Sequence, residues 1–227
     1  LQSLTEFVVD FAANSHERLS YTHDSIATFI AGLGASRLSI LQGMSGTGKT
    51  SLPKAFMQAL GGHCEIVEVE SSWRDKNELL GYYNEFNGIY APKKFTQFLY
   101  KAALNPEIPT FIVLDELNLS RIEYYFSDFL SVMEAREDQR AVNLLNRRIY
   151  PPRSKSDAVE KQSSYIALTD GNTIKVPPNV WFIGTANRDE STFEISDKVY
   201  DRAQTINFDR RAPKVTSDRL DVPIRFI

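Results

Sequence analysis

The sequence predicts an α/β fold built on a parallel β-sheet, and three observations carry that prediction. Short apolar runs suited to buried strands alternate with segments of helical periodicity, the order that strand–helix–strand crossovers produce. One strand-to-helix junction holds Gly43-Met-Ser-Gly-Thr-Gly-Lys-Thr50, a full match to the phosphate-binding pattern G-x-x-x-x-G-K-[ST]. Two further apolar runs end in polar residues, at Asp115-Glu116 and at Asn187. Ligands of open α/β sheets bind beyond the carboxyl ends of the strands, so these three groups belong to one site.

Taken in order, Leu4, Phe7, Val8, Phe11 and Ala12 recur at helical spacing and predict an opening amphipathic helix. The polar stretch 15–22 follows; His16 and His23 find no metal-binding partners nearby in the sequence and read as surface residues. A second helix is predicted near Asp24 to Leu33, capped by Thr22 or Asp24 and ended around Gly32 and Gly34. Leu38 to Gln42 is the first buried strand, and Ser51 to Leu60 a helix that stops at Gly61-Gly62. Pro53 is tolerated because it lies near the first turn, where a missing N–H costs little.

Cys64 to Glu70 alternates acidic and apolar residues, as a half-exposed strand near a sheet edge does. Asp75 with Glu78 resembles a helix start and predicts a short turn through Leu80. Tyr82 to Tyr90, with Asn87-Gly88 as a tight turn, reads as a surface loop. A helix from Lys93 to Leu104 is stopped by Asn105-Pro106. Pro109 to Glu116 is the next strand. Leu119, Ile122, Phe126, Phe129, Leu130 and Met133 then form the buried stripe of one helix reaching about Arg136.

Residues 137–164 are charged, contain Pro151-Pro152, and read as an exposed excursion. Within it Arg147, Arg148, Arg153 and Lys155 form a basic run, the pattern of a DNA contact or of a solvated face. Tyr165 to Leu168 and Thr173 to Val176 are predicted to pair as a β-hairpin. Val180 to Ala186 is a buried strand, Ser196 to Arg202 a short helix, and Thr205 to Phe208 a final small strand. Residues 212–227 show no clear periodicity. The expected division is a helix and linker over 1–20, a nucleotide-binding core over 21–208 with an insertion at 137–176, and a linker or the start of a lid over 209–227.

Bulk properties narrow the class. The chain has 227 residues, a net charge of −3 and a pI near 5.7, so it carries no global nucleic-acid signature. Its single cysteine, Cys64, excludes an intrachain disulfide framework, fits a reducing compartment, and reads as a small buried hydrophobe. The sequence shows no signal peptide and no apolar run long enough to span a bilayer, so a cytoplasmic location without a membrane partner is expected. The chain begins at Leu1 rather than Met, as a fragment of a longer chain would.

The chemistry of the three strand ends is specific. Gly43, Ser45, Gly46, Thr47, Gly48 and Ser51 supply backbone N–H groups and a helix N-terminus around a phosphate. Lys49 reaches toward the β- and γ-phosphates, and the Thr50 hydroxyl joins a Mg²⁺ shell. Asp115 is the candidate Mg²⁺ carboxylate and Glu116 the base or orienter of an attacking water. Asn187 orients that water or touches the γ-phosphate. Arg202 sits in a short helix beyond that strand, where it can enter a neighbouring subunit's site as an arginine finger; Arg188 is its competitor.

The order GMSGTGKT, FIVLDE, VPPNVWFIGTAN and ISDKVYDRA resembles an AAA+ ATPase core over Tyr21 to Phe208, most of the chain. Trp73, Leu80-Gly81-Tyr82, Leu114-Asp-Glu-Leu-Asn-Leu-Ser120 and Val176-Pro-Pro-Asn-Val are similar to the dynein/MoxR-related branch. The nearest likeness is to the motor subunit of methylcytosine-dependent, McrBC-type restriction systems. The resemblance implies a three-layer sandwich with a five-stranded parallel sheet and a β-hairpin insertion before the fourth core strand. It also implies a homohexameric ring, a nuclease partner, DNA translocation, and ATP or GTP with Mg²⁺ as cofactors. Where the restriction GTPases carry a Met-Asn-Thr-Ala-Asp-Arg-Ser-like signature, this chain has Ala186-Asn-Arg-Asp-Glu-Ser191, which moves the expectation toward ATP. No helical lid with a second sensor arginine is evident after Phe208.

Three readings follow. The first is a ring-forming Mg²⁺-dependent NTPase that moves along or remodels a macromolecule. A second is a nucleotide-gated scaffold, or a protein-remodelling MoxR-like ATPase, without DNA translocation. A small-molecule kinase is the third, opposed by the Asp-Glu pair and the Asn187 strand.

Overall fold

The structure, a computed structural model, describes residues 1–86, 89–145, 168, 171–189 and 192–208. Helix α1 (Gln2–Asn14) and helix α2 (His23–Ala35) lead into strand β1 (Leu38–Gly43), the phosphate loop and helix α3 (Ser51–Leu60). Strand β2 (His63–Glu68), helix α4 (Lys76–Leu80), strands β3 (Gly81–Asn84) and β4 (Ile89–Pro92), and helix α5 (Lys94–Leu104) follow. Then come strand β5 (Thr110–Asp115), helices α6 (Ile122–Tyr125) and α7 (Ser127–Met133), and strands β6 (Ala141–Asn143) and β7 (Thr173–Lys175). Strand β8 (Val180–Asn187), helix α8 (Asp197–Tyr200) and strand β9 (Gln204–Phe208) end the described chain.

Five strands form a sheet in the order β2-β5-β8-β1-β9, and every pairing in it is parallel. Successive side chains of a strand face opposite sides, and here each side is buried under helices. Ile112, Leu114, Val180 and Phe182 join one core with Phe95, Leu99, Phe126 and Phe129. Phe111, Val113 and Ile183 join the other with Val8, Phe29, Leu52 and Phe56. The result is the expected helix–sheet–helix sandwich. The alternating acidic run at β2 lies on the sheet's edge, as its pattern implied.

Local chemistry sets the element ends. Thr22 caps α2 by accepting a hydrogen bond from the Ser25 N–H at 3.1 Å. Asp75 does the same for α4 through the Asn77 N–H at 2.7 Å. Asn179 Nδ2 donates to the carbonyls of Ala102, Asn105 and Ile108 at 2.8–3.1 Å, tying the end of α5 to the entry of β8.

Three expectations are corrected. The segment 82–90 is no loop: β3 and β4 pair antiparallel, with Tyr83 opposite Tyr90 and both rings against the core. That one-sided contact is what folds an aromatic stretch into a hairpin; its Asn87-Gly88 turn lies outside the described residues. The helix predicted from Leu119 to Arg136 is broken into a 3₁₀ turn, α6 and α7. Tyr125 and Phe126 are both fully buried but face different partners. Tyr125 packs on Trp73 and donates to the Leu117 carbonyl at 2.7 Å, while Phe126 packs on Phe95 and Phe182. The turn at Phe126 (φ −113°, ψ 5°) permits both. Finally, the stretch read as an excursion contributes β6, which pairs antiparallel with β7; the hairpin partner expected for β7, 165–168, lies outside the described residues except for Leu168. This antiparallel ribbon precedes β8, the fourth core strand, where an insertion was expected. Residues 146–167, including the basic run, and the stretch after Phe208 lie outside the described residues.

Candidate active site

Strand β1 ends beside both of its neighbours, with Gly43 in register with Asn187 of β8 and Phe208 of β9. A Cβ on Gly43 would come well within 3.0 Å of the Phe208 carbonyl, so only glycine fits there. The loop then rises, with Met44, Ser45 and Gly46 exposed at its crest and Thr47 buried, its hydroxyl donating to the Met44 carbonyl at 2.9 Å. Gly48 adopts φ 90°, a left-handed conformation open to glycine, and Tyr21 packs against it. The Tyr21 hydroxyl donates to the Gly48 carbonyl at 3.0 Å, and burial raises its pKa well above the usual tyrosine value. Ser51 opens α3, so the helix N-terminus points into the loop.

Lys49 is folded into this loop. Its ammonium donates to the carbonyls of Gly43 at 3.0 Å and Met44 at 2.6 Å. Burial lowers its pKa, and the negative charges of Asp189, Asp115 and Glu116 oppose that shift. A cation held on neutral carbonyls with carboxylates nearby is poised for an anion.

Because β8 lies between β1 and β5, the loop must cross the end of β8 for Thr50 to meet Asp115. It does so: the Thr50 hydroxyl donates to Asp115 Oδ1 at 2.7 Å. The same oxygen accepts from the Thr185 hydroxyl at 2.6 Å. Glu116 takes a left-handed backbone (φ 54°, ψ 47°), which costs a non-glycine residue roughly 1–2 kcal/mol. Its N–H donates to the Thr185 hydroxyl oxygen at 2.9 Å, and its Oε1 accepts from Asn187 Nδ2 at 3.1 Å. Asn187 is held in turn, its carbonyl accepting from Asn118 Nδ2 at 2.8 Å and from the Thr192 hydroxyl at 3.1 Å.

Gly43, Ser45, Gly46, Thr47, Gly48, Lys49, Thr50, Ser51, Asp115, Glu116 and Asn187 therefore meet at one end of the sheet. Arg202 does not. It lies two residues before β9, which runs roughly 13 Å from there to Phe208. Its guanidinium pairs with Glu134 at 2.6 Å and donates to the Lys198 carbonyl at 2.6 Å. Arg188 does sit at the site end, donating to Asn207 Oδ1 at 2.8 Å. Tyr21, Asn118, Thr185 and Asp189 were not picked out from the sequence. Thr185 alone carried a readable signal, since it stands two residues before Asn187 and so shares its face of β8.

Among the described residues no cluster of three or more His, Cys, Asp and Glu side chains is placed to hold a metal unaided. The donors present, one hydroxyl and one carboxylate sharing a hydrogen bond, suit Mg²⁺, which takes few protein ligands and completes its shell with phosphate and water. Also among the described residues, no helix is long and apolar enough to cross a membrane. A model of the ATPase family associated with various cellular activities (AAA) matches residues 39–210. Comparison with curated proteins finds no match.

Proposed function

The chain belongs to the AAA family of ATPases, and on that premise we propose that it hydrolyses ATP with Mg²⁺ as one subunit of a homohexameric ring. In this reading it is a cytoplasmic motor of the dynein/MoxR-related branch that works on DNA beside a nuclease subunit, in a restriction-type complex. One observation carries the chemistry. Thr50 and Asp115 share a hydrogen bond of 2.7 Å, with Glu116 one residue further and held by Asn187.

Each side chain then has a task. The loop amides and the α3 N-terminus receive the phosphates. Lys49 exchanges the Gly43 and Met44 carbonyls for phosphate oxygens. Thr50 and Asp115 would hold Mg²⁺, which when bound neutralises charge on the β- and γ-phosphates. Glu116 takes a proton from the attacking water, and Asn187 fixes the carboxylate that does so. Charge on the transferred phosphoryl group calls for a further cation, and Arg202 faces away from its own phosphate loop. A neighbouring subunit's Arg202 is therefore the proposed source, which makes a ring part of the reaction.

The Asn187–Glu116 hydrogen bond also favours a second reading, a nucleotide-gated scaffold that turns over slowly, because it occupies an oxygen of the base. Steady-state hydrolysis of ATP and GTP across a range of protein concentrations, with and without DNA, separates the two. Specific activity that climbs with concentration and responds to DNA supports the motor. Flat, low activity with tight binding supports the scaffold.

A further inference from the structure

We infer that Thr185, a residue the family match does not single out, is the positioning residue that sets both acidic groups of the site at once. The inference rests on the hydrolytic reading above and extends it to a side chain behind the reacting groups.

Thr185 lies in the central strand β8 and is 2% exposed, so its hydroxyl meets protein rather than water. A threonine hydroxyl has one proton to give and lone pairs to receive. The proton goes to Asp115 Oδ1 at 2.6 Å, and a lone pair takes the Glu116 N–H at 2.9 Å. One oxygen atom therefore fixes the carboxylate that would hold the metal and the backbone of the residue that would activate water.

The second contact explains a conformation that glutamate does not favour. Left-handed backbone at Glu116 turns its side chain back toward Asn187. The Thr185 oxygen anchors that turn from below, and the Leu119 N–H closes it by donating to the Glu116 carbonyl at 2.9 Å. Thr185 and Asn187 share one face of β8, so a single strand touches Asp115 with one residue and Glu116 with the other. β8 thus holds both acids at the end of β5.

A packing role is the bland alternative. Threonine is a good strand former, and its methyl group fills volume on the face of β8 that it shares with Ile183. Valine and serine separate the two roles. Thr185→Val keeps the shape and removes the hydroxyl, whereas Thr185→Ser keeps the hydroxyl and removes the methyl.

Parent, Thr185→Val and Thr185→Ser are compared for ATP hydrolysis against Mg²⁺ concentration, and for binding of a fluorescent ATP analogue with and without Mg²⁺. Loss of an outer contact to a metal-site residue typically costs 10–100-fold, so kcat of the valine variant should fall by about that factor. Its half-maximal Mg²⁺ concentration should rise, its Mg²⁺-free binding should match the parent, and serine should restore most of the loss. A valine variant with the parent's kcat and Mg²⁺ dependence overturns the inference. So does a serine variant as impaired as valine, since the methyl would then be the group that matters. If the valine variant does not melt cooperatively, Thr185→Ala takes its place against serine. If the parent binds nucleotide but does not hydrolyse it, the functional reading fails, while the Mg²⁺ effect on binding still tests Thr185. If the parent binds none, amide hydrogen exchange at Glu116 decides: faster exchange in valine but not serine supports the anchoring role, and equal rates end it.

Discussion

Gly43 and Phe208 meet backbone to backbone, in register across β1 and β9, with no room for a side chain between them. The first glycine of the phosphate loop is thus fixed by strand packing as well as by the ligand it would bind. Gly43→Ala should destabilise the fold by about 1–3 kcal/mol through overpacking, before any strain from its φ of 146°. For a chain of this size each kcal/mol lowers Tm by roughly 2–4 °C, which calorimetry of the nucleotide-free protein resolves. An unchanged Tm would show that β9 yields.

Hydrolysis and nucleotide binding should separate on mutation. Glu116→Gln removes a base while leaving the phosphate cradle whole, so kcat should drop by about 10²- to 10⁴-fold with nucleotide affinity near that of the parent. Lys49→Ala should show the reverse emphasis, with binding itself lost. Removal of Mg²⁺ by chelation should stop hydrolysis in the parent. Parent-like turnover by the glutamine variant would remove Glu116 from the mechanism.

Arg202 invites a mixing experiment. Arg202→Ala alone should bind nucleotide and lose hydrolysis by about 10³-fold or more, the usual range for an arginine finger. Glu116→Gln alone should also be nearly inactive. Mixed, the two variants form some interfaces in which an intact Glu116 meets an intact Arg202, and activity should reappear. A mixture no more active than its parts would place Arg202 outside the reaction and leave its pair with Glu134 a structural one.

Burial pushes the Cys64 thiol up to about 12, with Glu65 adding to the shift. At pH 8 the native thiolate fraction should be on the order of 10³ lower than that of an ordinary thiol, and alkylation correspondingly slow until the protein is unfolded. The sign for stability follows from proton counts. Between the ordinary thiol value and about 12 the unfolded chain has released a proton that the native chain keeps. Stability therefore falls as pH rises above about 9. Melting temperatures from pH 8 to 11, compared with Cys64→Ala, isolate that contribution; identical slopes would contradict it.

Much of this was legible in the sequence, for identifiable reasons. Buried parallel strands are continuous apolar runs, so β1, β5 and β8 stood out with their polar ends, and with them the phosphate loop, Asp115, Glu116 and Asn187. What escaped shares a different character. Thr185 is a threonine in a strand, the least conspicuous polar residue a strand can hold. Tyr21 acts through one contact to a backbone carbonyl and Asn118 through two, to Asn187 and Phe193, which leave no periodicity. The β3–β4 hairpin looked like a loop because each strand spans only four residues, too few for a period to show. The break at Phe126 follows from the partners of two adjacent rings, a tertiary matter that a one-dimensional stripe cannot carry.

The strand order has a mechanical meaning. Neighbouring strands stand about 4.8 Å apart, and the phosphate loop and Asp115 leave strands separated by β8, which is bonded on both sides. The width between them, about 9–10 Å, is set by two rows of backbone hydrogen bonds and works as a fixed gauge. The floor of the site cannot open and close around its substrate. Any rearrangement around a ligand therefore falls to the segments that leave the sheet, not to the spacing of its strands.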